Sequence, residues 1–290
     1  MCDETTARAH DRALAGKGVS RREFAAMSAA TAVAAYASAA CAGEAGALRE
    51  STVEMATPDG KADAFFVHPA KGAHPGVIFW PDIAGIRDAM KVMARRLAGQ
   101  GYAVLVVNQY YRGARAPVMS TLMEFRTPEG AARLAPLRAP LTAEAIMRDG
   151  AAFAAFLDKQ PAVDKGRGIG TQGYCMGGPF AVWTAAAAPA RVKAAASFHG
   201  GGLVTEAENS PHRTLAAARA AYLIAVARDD DAKAPAEKDA FAKAAKDAGR
   251  AAEVEVYAAD HGWCVPDAPS YDQAEGDRAF ARLMALYAAL

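Results

Sequence analysis

The stretch "GRGIGTQGYCMGGPFAVWTAAAA" (residues 166–188) decides how the rest of the chain is read. A short run of strand length enters it, Cys175 sits among Gly173, Gly177 and Gly178, and an Ala-rich helix-like run leaves it. Glycines on both sides permit a tight strand-to-helix turn that forces the central side chain into a strained, exposed position. A helix starting just beyond Cys175 would aim backbone N–H groups and its positive dipole end at the sulfur, which favours the thiolate. The plainer alternative is a buried thiol in a glycine-rich turn, because free cysteine is among the most buried residue types.

Strand and helix patterns alternate on both sides of this stretch. "STVEMATPDGKADAFFVHPA" (51–70) predicts a β-hairpin turning at Pro58-Asp59-Gly60. "GVIFW" (76–80), "YAVLVVNQYY" (102–111), "VKAAASFHGG" (192–201), "AAYLIAVA" (220–227) and "VEVYAA" (254–259) read as further short strands. Helical patterns cover 87–101, 142–160 with Thr142 as N-cap, the run from about Gly178, and about 236–249 and 276–289. Residues 112–142 are rich in Pro, Arg and Ala and lack a clean period, so they are expected to cross the surface as a lid-like excursion. Strands that are apolar on both faces and alternate with helices predict one α/β domain. Its sheet should be mainly parallel, flanked by helices and preceded by the hairpin. In such sheets ligands bind beyond the carboxyl ends of the strands.

With 52% hydrophobic and 22% charged residues, a 290-residue chain can bury a sizeable core and is not a disordered one. The net charge is +1 and the cations lie mostly among acids, so no nucleic-acid partner is expected. Residues 1–45 read apart from the 46–290 domain. "VSRREF" (19–24) precedes an uncharged, Ala-rich run from Ala25 to Gly43, which resembles a twin-arginine export signal. Export to the periplasm is therefore expected. Membrane attachment would arise only through lipidation of Cys41, where "SAAC" (38–41) loosely resembles a lipoprotein cleavage box. Of four cysteines, Cys2 and Cys41 fall in or beside this leader, leaving Cys175 and Cys264, too few for a disulfide framework.

A nucleophile needs a base and a group that orients the base. In the elbow fold the acid and then the histidine follow the nucleophile in chain order. "ARDDDAKAP" (227–235) follows the penultimate strand and "HGWCVPD" (261–267) follows the last. His261 is favoured as base by position, by order, and by Gly262, which lets the loop turn sharply. His199 is its one serious rival and otherwise reads as pocket wall or a satisfied core histidine. Trp263 and Tyr110 are further candidates for the pocket wall.

Taken together, "PGVIFWPDIAGIRDAMKVMARRLAGQGYAVLVVNQYYR" (75–112), "GTQGYCMGG" (170–178), "ARDDDAKAP" and "HGWCVPD" resemble the dienelactone hydrolase family of the α/β-hydrolase fold. The resemblance spans about 51–290. It implies Cys175 as nucleophile, His261 as general base and then acid, and Asp231, four residues before Pro235, as orienting carboxylate, with Asp229 and Asp230 close rivals. It implies an oxyanion hole from the backbone N–H groups of Ile83 and Met176. Asp82 stands where family members carry a thiol-arming Glu; a structural tie to Arg87 is the alternative. The implied reaction is hydrolysis of a small carboxylic ester or lactone through a thioester, with no metal or organic cofactor. The Arg that grips a substrate carboxylate after the family's histidine is missing from "HGWCV", which leaves Arg126, Arg133 and Arg138 of the excursion as substitutes. A Cys175–Cys264 disulfide is a competing expectation, a non-catalytic binding protein on the same scaffold a second reading, and a redox thiol protein a weaker third.

Overall fold

The expected hairpin forms: β1 (Leu48–Thr57) pairs antiparallel with β2 (Gly60–Pro69) in a computed structural model that describes residues 4–17 and 46–290. Strands β3 (Gly76–Trp80), β4 (Ala103–Val107), β5 (Ile169–Tyr174), β6 (Val192–Phe198), β7 (Ala221–Ala227) and β8 (Ala252–Tyr257) all run parallel. With β2 antiparallel to β4, they complete one mixed eight-stranded sheet in the order β1-β2-β4-β3-β5-β6-β7-β8. Parallel neighbours need crossovers. Helix α2 (Asp88–Ala98) joins β3 to β4, α4 (Ala143–Leu157) leads to β5, α5 (Gly177–Ala187) joins β5 to β6, and α7 (Glu237–Asp247) leads to β8. Strand order reverses at β3, which has β4 on one side and β5 on the other. That switch opens a crevice beyond the carboxyl ends of β3 and β5.

Period-2 alternation divides the core into two layers. Val77 and Phe79 of β3 pack toward Met90 and Leu97 of α2 and toward Leu283 and Tyr287 of α8 (Gln273–Tyr287). Ile78 and Trp80 pack toward Phe153 and Leu157 of α4, Phe180 of α5 and Phe241 of α7. The Trp80 indole also donates to Thr184 Oγ1 at 3.1 Å, tying β3 to α5. Cutting Phe79 or Trp80 to alanine is expected to cost on the order of 3–5 kcal/mol.

Two departures from expectation matter for the site. The excursion over 112–142 contains a 3₁₀ turn (Leu122–Arg126) and helix α3 (Pro128–Arg138), although its apolar residues show no helical period. Its start is specified locally: Pro128 occupies the first turn and the Thr127 hydroxyl accepts the Gly130 N–H at 3.0 Å. Secondly, the N-terminal segment does not wholly stand apart. Helix α1 (Glu4–Gly16) seats on the domain, burying His10 and Leu14. Arg126 pairs with Asp11 at 3.2 Å and Lys17 donates to the Pro269 carbonyl at 3.1 Å. The Arg21-Arg22 pair, the Ala25–Gly43 run, Cys2 and Cys41 lie outside the described residues. Among the described residues no helix is long and apolar enough to cross a membrane.

Candidate active site

The turn after β5 takes the elbow form. Cys175 has φ 53°, in the left-handed region, and α5 begins two residues later. Close packing demands the glycines: a Cβ on Gly173 would lie 1.8 Å from the Gly177 carbonyl oxygen, and one on Gly177 would lie 2.6 Å from those of Trp80 and Pro81. The elbow is thus pressed against the end of β3. This brings the loop carrying Asp82 and Ile83 beside the turn carrying Cys175 and Met176.

His261 reaches the same place from the loop after β8. Gly262, at φ 96°, turns the chain directly behind it. The His261 ring meets a carboxylate through Nδ1, but the partner is Asp230, at 2.6 Å, and not the expected Asp231. Helical phasing selects Asp230. The Asp-Asp-Asp run lies in the short helix α6 (Arg228–Lys233), where successive side chains turn by about 100°. Asp229 accepts the His261 backbone N–H at 2.7 Å, Asp230 faces the ring, and Asp231 rotates away to pair with Lys238 at 2.6 Å. Burial opposes protonation of His261, yet the Cys175 sulfur and Asp230 outweigh it and push its pKa up to about 10. Burial likewise works against the Asp230 charge, and its bond to His261 more than offsets this, holding the carboxyl below its usual range. His261 is thereby held as imidazolium beside the Cys175 sulfur.

Asp82 lines the cavity beside Cys175, and its carboxylate is tied to Arg87. Its Oδ1 accepts from Arg87 Nη1 at 2.7 Å and from the Ala84 N–H at 2.9 Å, and its Oδ2 accepts from Arg87 Nη2 at 2.9 Å. Asp82 is therefore bound on both oxygens, as the structural alternative anticipated. Arg87 also donates twice, at 2.7 Å, to Asp267, a partner that the sequence did not reveal. The buried guanidinium bolts the loop after β3 to the loop after β8. Burial disfavours its charge, but the two carboxylates hold it protonated.

A cavity of about 10 Å³ is lined by Cys175, His261, His199, Asp82, Leu122 and His10. That is room for one water at most. His10, from α1, closes it, with Nε2 3.3 Å from the His261 carbonyl oxygen. Burial and the neighbouring His261 charge push the His10 pKa down to about 4, so His10 is neutral in its seat. No local signal marked His10, which reads as leader. Trp263 and Tyr110, both expected in the pocket wall, stand behind it: Trp263 stacks on Tyr257 and abuts His199, and the Tyr110 hydroxyl donates to the Ile83 carbonyl at 2.7 Å. Of the substitute cations, Arg126 pairs with Asp11 and Arg133 donates to the Val118 carbonyl at 3.0 Å. Cys175, expected to be exposed at the elbow, is buried because the cavity is closed over it; it forms no disulfide with Cys264, which is also buried, and burial pushes the Cys264 pKa well up. Among the described residues no cluster of His, Cys, Asp and Glu has a metal-binding arrangement.

Comparison with known proteins agrees with this fold. The model of the dienelactone hydrolase family matches residues 62–290. A Synechocystis protein named "Putative carboxymethylenebutenolidase" is 33% identical over 134 residues, which cover 46% of this chain and 51% of that protein. The match thus spans about half the length of that curated relative. Among solved structures, a "Putative Dienelactone Hydrolase" from Klebsiella pneumoniae superposes with a TM-score of 0.72 at 21% identity, covering 84% of this chain and all of that one. A "Dienelactone Hydrolase-like Promiscuous Phospotriesterase", P91 from metagenomic libraries, superposes with a TM-score of 0.67 at 23% identity, covering 84% and 98%. At such identities the structural likeness speaks for the fold.

Proposed function

The chain belongs to the dienelactone hydrolase family, and on that premise we propose that it hydrolyses a small carboxylic ester or lactone, with Cys175 as nucleophile, His261 as base and acid, and Asp230 as orienting carboxylate. The observation that carries this reading is the 2.6 Å bond from Asp230 to His261 at a cavity shared with the elbow cysteine. In the first half-reaction the thiolate forms a C–S bond to the acyl carbon and the carbonyl electron pair moves onto oxygen. The backbone N–H groups of Met176 and Ile83 are assigned to that oxyanion. Collapse expels the alkoxide, which takes the proton from His261. Water then gives a proton to His261 as its oxygen attacks the thioester, and the C–S electron pair returns to sulfur as the acid leaves.

Turnover requires α1 to leave the mouth, because the seated helix leaves no room for an acyl group. Export of the protein belongs to the same reading and is motivated by Arg21-Arg22 and the uncharged run behind them; N-terminal sequencing of protein recovered from the periplasm tests it. For the chemistry, the test is a panel of short p-nitrophenyl esters and dienelactone run on wild type and Cys175→Ala. Equal turnover by the two would remove Cys175 from the reaction.

A further inference from the structure

The reaction above gives His199 nothing to do, yet the fold holds it at a cost. Among the described residues only two that are not glycine have a left-handed backbone, Cys175 and His199, the latter at φ 42°. Such strain concentrates at functional sites. The two are also matched in register. Strands β5 and β6 pair with Tyr174 opposite Phe198, and the Cys175 N–H donates to the Phe198 carbonyl at 3.0 Å. Cys175 and His199 are therefore the next residues on two adjacent parallel strands, turned by the same unusual backbone conformation into the same cavity.

The His199 ring is 1% exposed, and no well-formed hydrogen bond satisfies either of its nitrogens. An unsatisfied imidazole in a packed interior calls for an explanation. Trp263 and Tyr174 flank it with their rings, at centroid separations of 5.2 and 6.1 Å, and the His261 ring stands edge-on at 4.6 Å. The Cys175 sulfur and His261 line the same cavity, and the sulfur, His261 and Asp230 all act on the ring electrostatically. Burial keeps His199 neutral, which leaves it one N–H to donate.

We propose that His199 donates a hydrogen bond to the Cys175 sulfur, stabilising the thiolate in the resting enzyme and again as the thioester C–S bond breaks. The inference rests on Cys175 being the nucleophile. Once Cys175 is acylated its sulfur is a poor acceptor, so the bond lapses, and it returns as the departing electron pair localises on sulfur. An interaction stronger in the transition state than in the preceding ground state lowers the barrier. His199 should therefore matter more to deacylation than to acylation.

The test compares His199→Phe, which keeps a ring of similar shape and loses the donor, with His199→Asn and His199→Gln, which can restore a donor. All are made in the full-length chain so that α1 is common to every arm. The first readout is iodoacetamide alkylation of Cys175 against pH. The groups titrating around the sulfur are His261, His199, His10 and Asp82, with Asp230 and Arg87 behind them. In His199→Phe the midpoint should rise, lowering the alkylation rate at neutral pH by roughly 10- to 100-fold, the range for a hydrogen bond to a charged group. At least one amide variant should recover most of the rate. The second readout is acyl-enzyme accumulation on a p-nitrophenyl ester, which should grow in His199→Phe. If His199→Phe does not fold, 15N-histidine NMR of the wild type replaces it, and the His199 N–H signal should move when Cys175 is alkylated. A folded His199→Phe with the wild-type alkylation profile, or an unmoved N–H signal, overturns the proposal. Cys175→Ala keeps the two readings apart. If it hydrolyses esters normally, the nucleophile assignment falls; if it is inactive while His199→Phe alkylates like wild type, only the role of His199 falls.

Discussion

Two imidazoles stand 4.6 Å apart at the ends of neighbouring segments of the same crevice, equally buried and held in opposite states. His261, with Asp230 on one side and Cys175 on the other, has its pKa pushed up to about 10 against the pull of burial. His199 lacks a carboxylate on its ring, so burial wins and its pKa falls. What separates them is the partner each strand end supplies, because burial penalises both rings alike. A charged imidazole can return a proton to a leaving group, whereas a neutral one can only donate a hydrogen bond.

The largest way to break this contrast is to remove the sulfur. Cys175→Ala should lower ester hydrolysis on the order of 10⁴-fold or more. It should also pull the His261 pKa down toward that of His199, a shift that histidine NMR would follow. Next comes Asp230→Asn, which deprives His261 of its carboxylate and is expected to cost on the order of 10²–10⁴ in kcat. His261, with Cys175 and Asp230 beside it, also contributes to the pH dependence of stability. Because the folded pKa of His261 lies above its ordinary 6.5, the stability linked to its protonation is complete below about pH 6.5 and fades as the pH climbs through about 10. Asp230→Asn should flatten that part of the unfolding profile.

Arg87 sharpens the rule, since it is as buried as either histidine and stays charged between two carboxylates. Arg87→Met would strand Asp82 and Asp267 and should cost about 3–5 kcal/mol, read as a drop in Tm. Smallest is Asp231→Asn. Its pairing with Lys238 is a surface bond, so activity should hold and Tm should barely move. Loss of activity in Asp231→Asn equal to that in Asp230→Asn would contradict the helical phasing of the three aspartates.

Features written in short-range chemistry were legible in the sequence. The hairpin turn at Pro58-Asp59-Gly60, the glycines around Cys175 and the Thr142 cap each act within a few residues, and each appears where expected. The choice among Asp229, Asp230 and Asp231 was not legible, because it depends on where α6 begins and hence which way each side chain points. Helix α3 was hidden by Pro136 inside it and by an apolar pattern without period. Asp267 and His10 were hidden for another reason: each meets its partner across a long loop of chain, and nothing near either residue announces the meeting.

Helix α1 makes the molecule an occupant of its own crevice. An arriving acyl group must evict His10, so an affinity measured on the full-length chain is weaker than the intrinsic one by the fraction of molecules whose helix has lifted. The seated ring resists protonation down to about pH 4, while a released one accepts a proton near 6.5. Mild acid therefore tips the eviction in the substrate's favour, even as it works against the thiolate that awaits it.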